Sequence, residues 1–425
     1  MDKKTFLLKD GIKVHLIETD LFKTNLICVM LTVPMSKDTV TKNALVPFLL
    51  KRGTERFKDQ YEINKKLEQM YGAVYDCGID KVGDNQLIKF YLESVNENFL
   101  PKNGEDILKQ SIDTVLEIIF NPIMEDGLFK KEFLELEKNN LRNVIESKID
   151  NKDKYAYDNC IAAMYKDEGY GIYKYGYIED LEKINLEDIS SHYKKLISEA
   201  KIDIYVSGDV KEEKIKEILE SNENIQKLNG RKENFVLSEK FKSGNEVKEV
   251  SNIEDKMNIS QGKLVIGLDV FSKQEDIHTI GLVYNAILGD GANSMMFQNV
   301  REKASLAYSA RSGYVKQKNN IFIRCGIEIE NYEKALEIIK EQLENIENGN
   351  FTDEDIENAK NYLISSIKSI ETEQDTQIVF YIGQELSKTE YSIQEYTQKV
   401  KNVSKEEIIE FAKTVKYNTV YFLRN

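Results

Sequence analysis

Residues 71–93 read YGAVYDCGIDKVGDNQLIKFYLE, and residues 306–329 read LAYSARSGYVKQKNNIFIRCGIEI. Each has a tyrosine early, a polar turn near its middle and an alternating apolar run after it. The turns are Gly83-Asp84-Asn85 and Lys318-Asn319-Asn320. Alternation either side of a short polar turn is the pattern of a β-hairpin. A helix-like segment precedes each hairpin, over 61–70 and 292–303. A long amphipathic segment follows each, over 104–119 and 332–347, and then another, over 128–149 and 353–370. Each half ends in a capped helix and a strand. The caps are Asn185 and Ser404, the latter with Glu407 in capping-box position. The closing strands are expected over 202–207 and 419–423.

The order of elements is the same in both halves, so the chain reads as two copies of one unit. Hairpins with long helices packed on them predict an α+β fold built from two antiparallel sheets, each carrying helices on one face. The two units are expected at 1–228 and 248–425, arranged around a cleft. Residues 229–247 belong to a polar stretch rich in Asn, Lys and Glu, and they read as a linker.

With 425 residues there is chain enough for two domains, and 41% apolar residues can build their cores. The formal charge of −14 disfavours nucleic acid and anionic membranes. Basic peptides and unfolded basic segments suit it better. Cys28, Cys77, Cys160 and Cys325 lie far apart with no CxxC, which argues against a disulfide framework and for a reducing compartment. The first twenty residues have charges at both ends and no apolar core, and no run of 18 apolar residues occurs anywhere. A soluble, cytoplasmic protein is expected. The three histidines, His15, His192 and His278, are isolated. His15 is expected on the polar face of a strand, and His192 and His278 on helices. A self-contained histidine zinc site is not expected, because such sites take two ligands from one short helical motif. The aromatic run over 155–177 reads as an irregular packed segment, with lining of a peptide cleft as its other reading. Asp150 and Asp153 read as solvated charge.

Residues 288–308, LGDGANSMMFQNVREKASLAY, hold the chemistry. Gly289 and Gly291 flank Asp290 and allow a close backbone approach. Arg301 and Tyr308 follow, seven residues apart across a helix-to-strand change. A guanidinium fork and a phenol are donors that can hold a peptide carbonyl and stabilise an oxyanion. On spacing alone the plainer reading, a glycine turn with a surface arginine and a core tyrosine, is preferred.

The stretch resembles the glycine-rich loop and Arg–Tyr segment of the insulinase-like (pitrilysin, M16) zinc metallopeptidases, whose usual form is similar to LGGGxSSRLFQxLREKxGLAYS. Gly289, Gly291, Ser294, Phe297, Gln298, Arg301, Glu302, Lys303, Leu306, Ala307, Tyr308 and Ser309 stand at matching places. That family is also built from duplicated α+β units. Residues 50–54 (LKRGT) and Tyr71-Gly72-Ala73 resemble parts of its first unit. The resemblance implies Arg301 and Tyr308 as catalytic and Gly289 and Gly291 as substrate-binding.

The same resemblance exposes a departure. The family's HxxEH motif ends five residues before the Gly of a Gly-Thr pair, which places it over residues 44–48. Ala44 and Phe48 stand where its histidine ligands would be, and Pro47 where its general-base glutamate would be. Proline there is expected to disturb the helix. The third ligand, from a segment similar to EKxxVxxEI, falls on Val144, and Glu146 reads as a solvated helix residue. No metal is therefore expected in this chain. The resemblance implies a non-zinc subunit of a two-chain peptidase, with zinc in an HxxEH-bearing sister chain and a peptide or unfolded polypeptide as substrate. It admits a homodimer when the chain is isolated. A similar bacterial subgroup is associated with elongation factor P modification. A non-catalytic scaffold or a peptide-binding protein of the same fold is the alternative.

Overall fold

A computed structural model describes residues 3–101, 105–242 and 249–425. Strands and helices alternate in clusters. The first cluster is β1 (Lys3–Lys9), β2 (Ile12–Glu18), β3 (Thr24–Pro34), α1 (Val40–Leu50), α2 (Gln60–Gln69), β4 (Val74–Val82), β5 (Asn85–Val95), α3 (Ile107–Phe120) and α4 (Lys131–Glu146). Then come α5 (Lys152–Met164), α6 (Ile178–Lys183), α7 (Leu186–Glu199), β6 (Lys201–Gly208), α8 (Glu212–Ser221) and α9 (Glu223–Lys227). The later part holds β7 (Ser251–Lys256), β8 (Gly262–Val270), α10 (Ile277–Leu288), β9 (Ala307–Val315), β10 (Asn320–Ile327), α11 (Tyr332–Glu347) and α12 (Asp353–Ser369). It ends with α13 (Gln374–Ser387), α14 (Ile393–Asn402), α15 (Lys405–Lys413) and β11 (Val415–Arg424).

The duplication is explicit in the strand orders, β1-β2-β6-β3-β5-β4 and β7-β11-β8-β10-β9. Beginning at β2 in the first sheet and β7 in the second, the two orders match strand for strand. In each, the closing strand pairs in parallel with an early strand, β6 with β2 and β11 with β7. The remaining neighbours are antiparallel. The sheets are thus antiparallel apart from one parallel pair each. The first hairpin turns on two residues between Val82 and Asn85, and Gly83 takes the left-handed conformation there (φ +56°). The second turns between Val315 and Asn320 with Asn319 at φ +46°.

Contacts divide the chain into one unit of Met1–Ser147, Ile172–Val236 and Glu371–Gly383, and another of Lys148–Gly171, Leu237–Ile370 and Gln384–Asn425. This division does not follow a cut at the linker. Residues 148–171 pack with the later strands, and residues 371–383 with the earlier ones. The linker expected over 229–247 begins as packed chain. Arg231 is buried, its amide donates to the Asp10 carbonyl, and its guanidinium bonds the backbone at Asn229. Residues 243–247 of that linker lie outside the described residues, as does the expected helix start at 104.

In the first unit, Val14, Leu16, Ile27, Val29, Leu31 and Phe90 on the sheet meet Leu45, Leu49, Ile112, Val115 and Leu141 on α1, α3 and α4. Burying each such side chain contributes about 1.5–3 kcal/mol. In the second unit α5 lies on one sheet face. Ala156, Cys160 and Ile161 pack there against Val265, Phe322, Tyr421 and Leu423. Side chains alternate along a strand, so Ile266 and Ile323 serve the opposite face. Helices on one face only, as expected, therefore describes the second sheet incompletely. The aromatic run over 155–177 corrects likewise: through Met164 it is regular helix α5.

His15 also departs from expectation. It is fully buried, 2.9 Å from Asp203 and stacked on Tyr205, and its other nitrogen lies 3.1 Å from Thr5 Oγ1. Lys201 donates to the same Asp203 at 2.6 Å. Contacts of both ring nitrogens with Asp203 and Thr5, not solvent, satisfy this strand position. His192 and His278 lie on α7 and α10 as expected. Among the described residues, no helix is long and apolar enough to cross a membrane.

Candidate functional site

Helix α10 ends at Gly289, where the chain passes against β9. A Cβ there would lie 2.5 Å from Ser312 Oγ and 2.6 Å from Ser312 N, so only glycine fits. The Ser312 amide donates to the Gly289 carbonyl at 2.9 Å and clamps the helix end to the strand. Gly291 sits at φ +115°, which other residues rarely adopt. Asp290 between them accepts from the Tyr362 hydroxyl at 3.0 Å, and burial pushes its carboxyl pKa up. Ser294 Oγ donates to the Gly291 carbonyl at 2.7 Å. Beside this loop is a cavity of about 170 Å³, lined by Asp290, Gly291, Ser294, Asp355 and Tyr362 among others. That is below the roughly 300 Å³ of a ligand pocket.

The expected helix over 292–303 is a turn followed by a π-helical segment, Phe297–Lys303. Such segments concentrate at functional sites. It carries Arg301, whose guanidinium lies over the Phe297 ring at 4.6 Å and whose Nε is 3.5 Å from Glu302. The chain then turns through Ser305 at φ +54° into β9. Ser309 pairs with Gly326 and Ala307 with Ile327, so Tyr308 is the extra residue of a bulge. Bulges re-aim side chains, and Tyr308 is 65% exposed. Its hydroxyl donates to Glu328 at 2.7 Å, and that hydrogen bond raises its pKa. The core-tyrosine reading is excluded. The structure leaves Arg301 and Tyr308 exposed on consecutive elements, each with its own partner.

The other predicted positions lie in the first unit. Helix α1 runs unbroken through Pro47, contrary to expectation. Ala44 is fully buried and Pro47 is buried with it. Phe48 is half-buried with the Lys51 ammonium 5.0 Å from its ring centre. Val144 on α4 packs on the same core, and Glu146 is exposed. Ala44, Phe48 and Val144 offer no donor atom to a zinc ion, so these positions do not fit one.

Sequence reasoning passed over what surrounds them. Glu137 is fully buried on α4, ion-paired with Arg52 and bonded by Asn140 at 2.9 Å. Cys77 Sγ donates to the Pro47 carbonyl at 3.5 Å, and burial pushes its thiol pKa to about 11. His192 Nε2 lies 2.7 Å from Asn43 Oδ1, and burial lowers its pKa to about 4. These partners are up to 149 residues apart, and no local pattern announces them. Among the described residues, no group of three or more His, Cys, Asp or Glu could hold a metal.

The family model for the Peptidase M16 inactive domain matches residues 183–363. A Bacillus subtilis (strain 168) protein described as "Probable inactive metalloprotease YmfF" is 31% identical over 417 residues, spanning 97% of this chain and 96% of that one. The chain belongs to the peptidase M16 family. An M16 fold is also what the solved structures give. A conserved protein from Enterococcus faecalis V583 superimposes with a TM-score of 0.90 at 24% identity, covering 100% of this chain and 99% of the other. A peptidase M16 inactive domain from Pseudomonas fluorescens gives 0.79 at 17% identity, covering 100% and 98%. Within the M16 family, this chain is thus related to members described as inactive.

Proposed function

We propose that this chain is the zinc-free subunit of a two-chain M16 peptidase, and that its Arg301 and Tyr308 complete the site of an HxxEH-bearing sister chain. The supporting observation is the β9 bulge that turns Tyr308 out to 65% exposure, while the residues at the metal positions are apolar. The sister's zinc would supply the activated water. Arg301 would hold the carbonyl of an extended peptide through its fork, and Tyr308 would donate to the oxyanion that develops there. Tyr308 has one O–H, now given to Glu328. The substrate oxygen must take that proton in competition. The setting we propose is the cytoplasm, with the elongation factor P modification pathway as the process, on resemblance alone.

Reconstitution tests the reading. An HxxEH chain of similar length, encoded next door, should co-purify with this one. The pair should cleave an unfolded peptide and neither chain should do so alone. About one zinc per isolated chain, the stoichiometry of a catalytic site, with chelator-sensitive cleavage, would contradict it. An assembled pair that never cleaves peptide would leave the scaffold reading standing.

A further inference from the structure

On the α5-covered face of the second sheet, Arg311 of β9 stands directly opposite Arg324 of β10. Like charges directly opposed across strands are destabilising. One carboxylate oxygen serves both. Asp153 Oδ2 accepts from Arg311 Nη2 at 2.6 Å and lies 3.7 Å from Arg324 Nη1. The expectation that Asp153 is merely solvated charge is therefore corrected. Burial and then the Arg311 charge lower the Arg324 pKa, while Asp153, Tyr157 and Asp158 act the other way. The Arg324 guanidinium also covers the Tyr157 ring at 4.8 Å, which holds it in place. Arg311 remains 53% exposed. A guanidinium carries five donors in a fork shaped for carboxylate, and one hydrogen bond to Asp153 leaves most of that fork facing outward.

The surroundings are open. Neighbouring pairs on the same face are Ser309 with Gly326 and Gly313 with Phe322. A Cβ at Gly313 would meet nothing within 4 Å. Small residues therefore border the arginine pair along β9, the edge strand of its sheet. The outward amide of Ser312 on that edge is already given to the Gly289 carbonyl, so what this face offers a peptide is the arginine side chains and not a free strand edge.

We infer that Arg311 and Arg324 form a carboxylate-binding site for a peptide, taking either its C-terminal carboxylate or an acidic side chain. This inference rests on the peptide-binding reading above and adds a substrate feature to it. The whole chain, at −14, repels acidic peptides at long range. The arginine pair would instead act locally, selecting where along a peptide the carboxylate lies.

Equilibrium binding to the full chain at low salt tests it without the sister subunit. The probes are one labelled peptide with a free C-terminus, its C-terminal amide, and the amide carrying one internal glutamate. Either carboxylate peptide should bind about tenfold tighter than the plain amide, the worth of a charge-assisted hydrogen bond. Which of the two does so names the source. Arg311→Gln should bring the carboxylate peptides down to the amide's affinity. Asp153→Asn, which removes the competing carboxylate and keeps both arginines, should tighten carboxylate binding severalfold. Equal affinities for all three peptides, no binding of any, or a preference that survives Arg311→Gln would overturn the proposal. Because turnover by the assembled pair is not measured, a failure here leaves the assignment of Arg301 and Tyr308 standing.

Discussion

The two units share one strand order yet place the residues at their candidate site positions in opposite settings. In the first, α1 presents Ala44, Pro47 and Phe48 to a core that includes Val144, and the polar groups nearby are inward-facing and paired, as Glu137 is with Arg52. In the second, the π-helical turn and the β9 bulge hold Arg301 and Tyr308 in solvent. One corner is settled by packing and the other by exposure. A fold scaffold tolerates either, so the chemistry has to be read from side chains and not from topology.

The largest stability effect should come from the packed corner. Glu137→Ala leaves Arg52 without its buried carboxylate, and loss of one partner of such a pair costs about 3 kcal/mol or more. Denaturant unfolding should show this as a lower midpoint, while an effect below about 0.5 kcal/mol, that of an ordinary surface change, would mean the corner is not packed as described. Gly289→Ala probes the exposed corner's support. Its Cβ must displace Ser312, so a loss of about 1–3 kcal/mol is expected from overpacking. A neutral result would break the link drawn between α10 and β9.

A pH dependence falls in both units alike. Burial lowers the pKa of His192 and of His278 from 6.5 to about 4. Between pH 6.5 and 4 the unfolded chain therefore binds more protons than the folded one. Stability is unaffected by these groups above pH 6.5 and falls as pH drops through that window. Thermal melts across it should flatten in His192→Gln and in His278→Gln relative to the parent. Parallel curves would show that neither ring resists protonation.

Elements set by local pattern were legible. Helix α11 runs over 332–347, as its apolar spacing predicts, and the caps at Asn185 and Ser404 accept the expected amides. The glycine loop and the exposed Arg301 were legible too. What escaped depends on distant partners. His15 reads as a polar strand position because Asp203, which satisfies it, lies 188 residues away. Asp153 reads as solvated because Arg311 is 158 residues away. Helix α5 was hidden by aromatic residues that serve a sheet from the other half of the sequence. The bulge at Tyr308 was invisible because one unpaired residue leaves the alternation nearly intact.

If the exposed corner supplies catalysis that the packed corner does not, turnover of the assembled pair must depend on Tyr308 and Arg301. Steady-state turnover of the reconstituted pair with Tyr308→Phe is the measurement that decides this. Loss of one oxyanion donor should lower kcat about 10²–10³-fold with partner binding and melting temperature unchanged, and Arg301→Ala should cost at least as much. An active pair in which both variants keep the full rate would show that Arg301 and Tyr308 are structural and not catalytic.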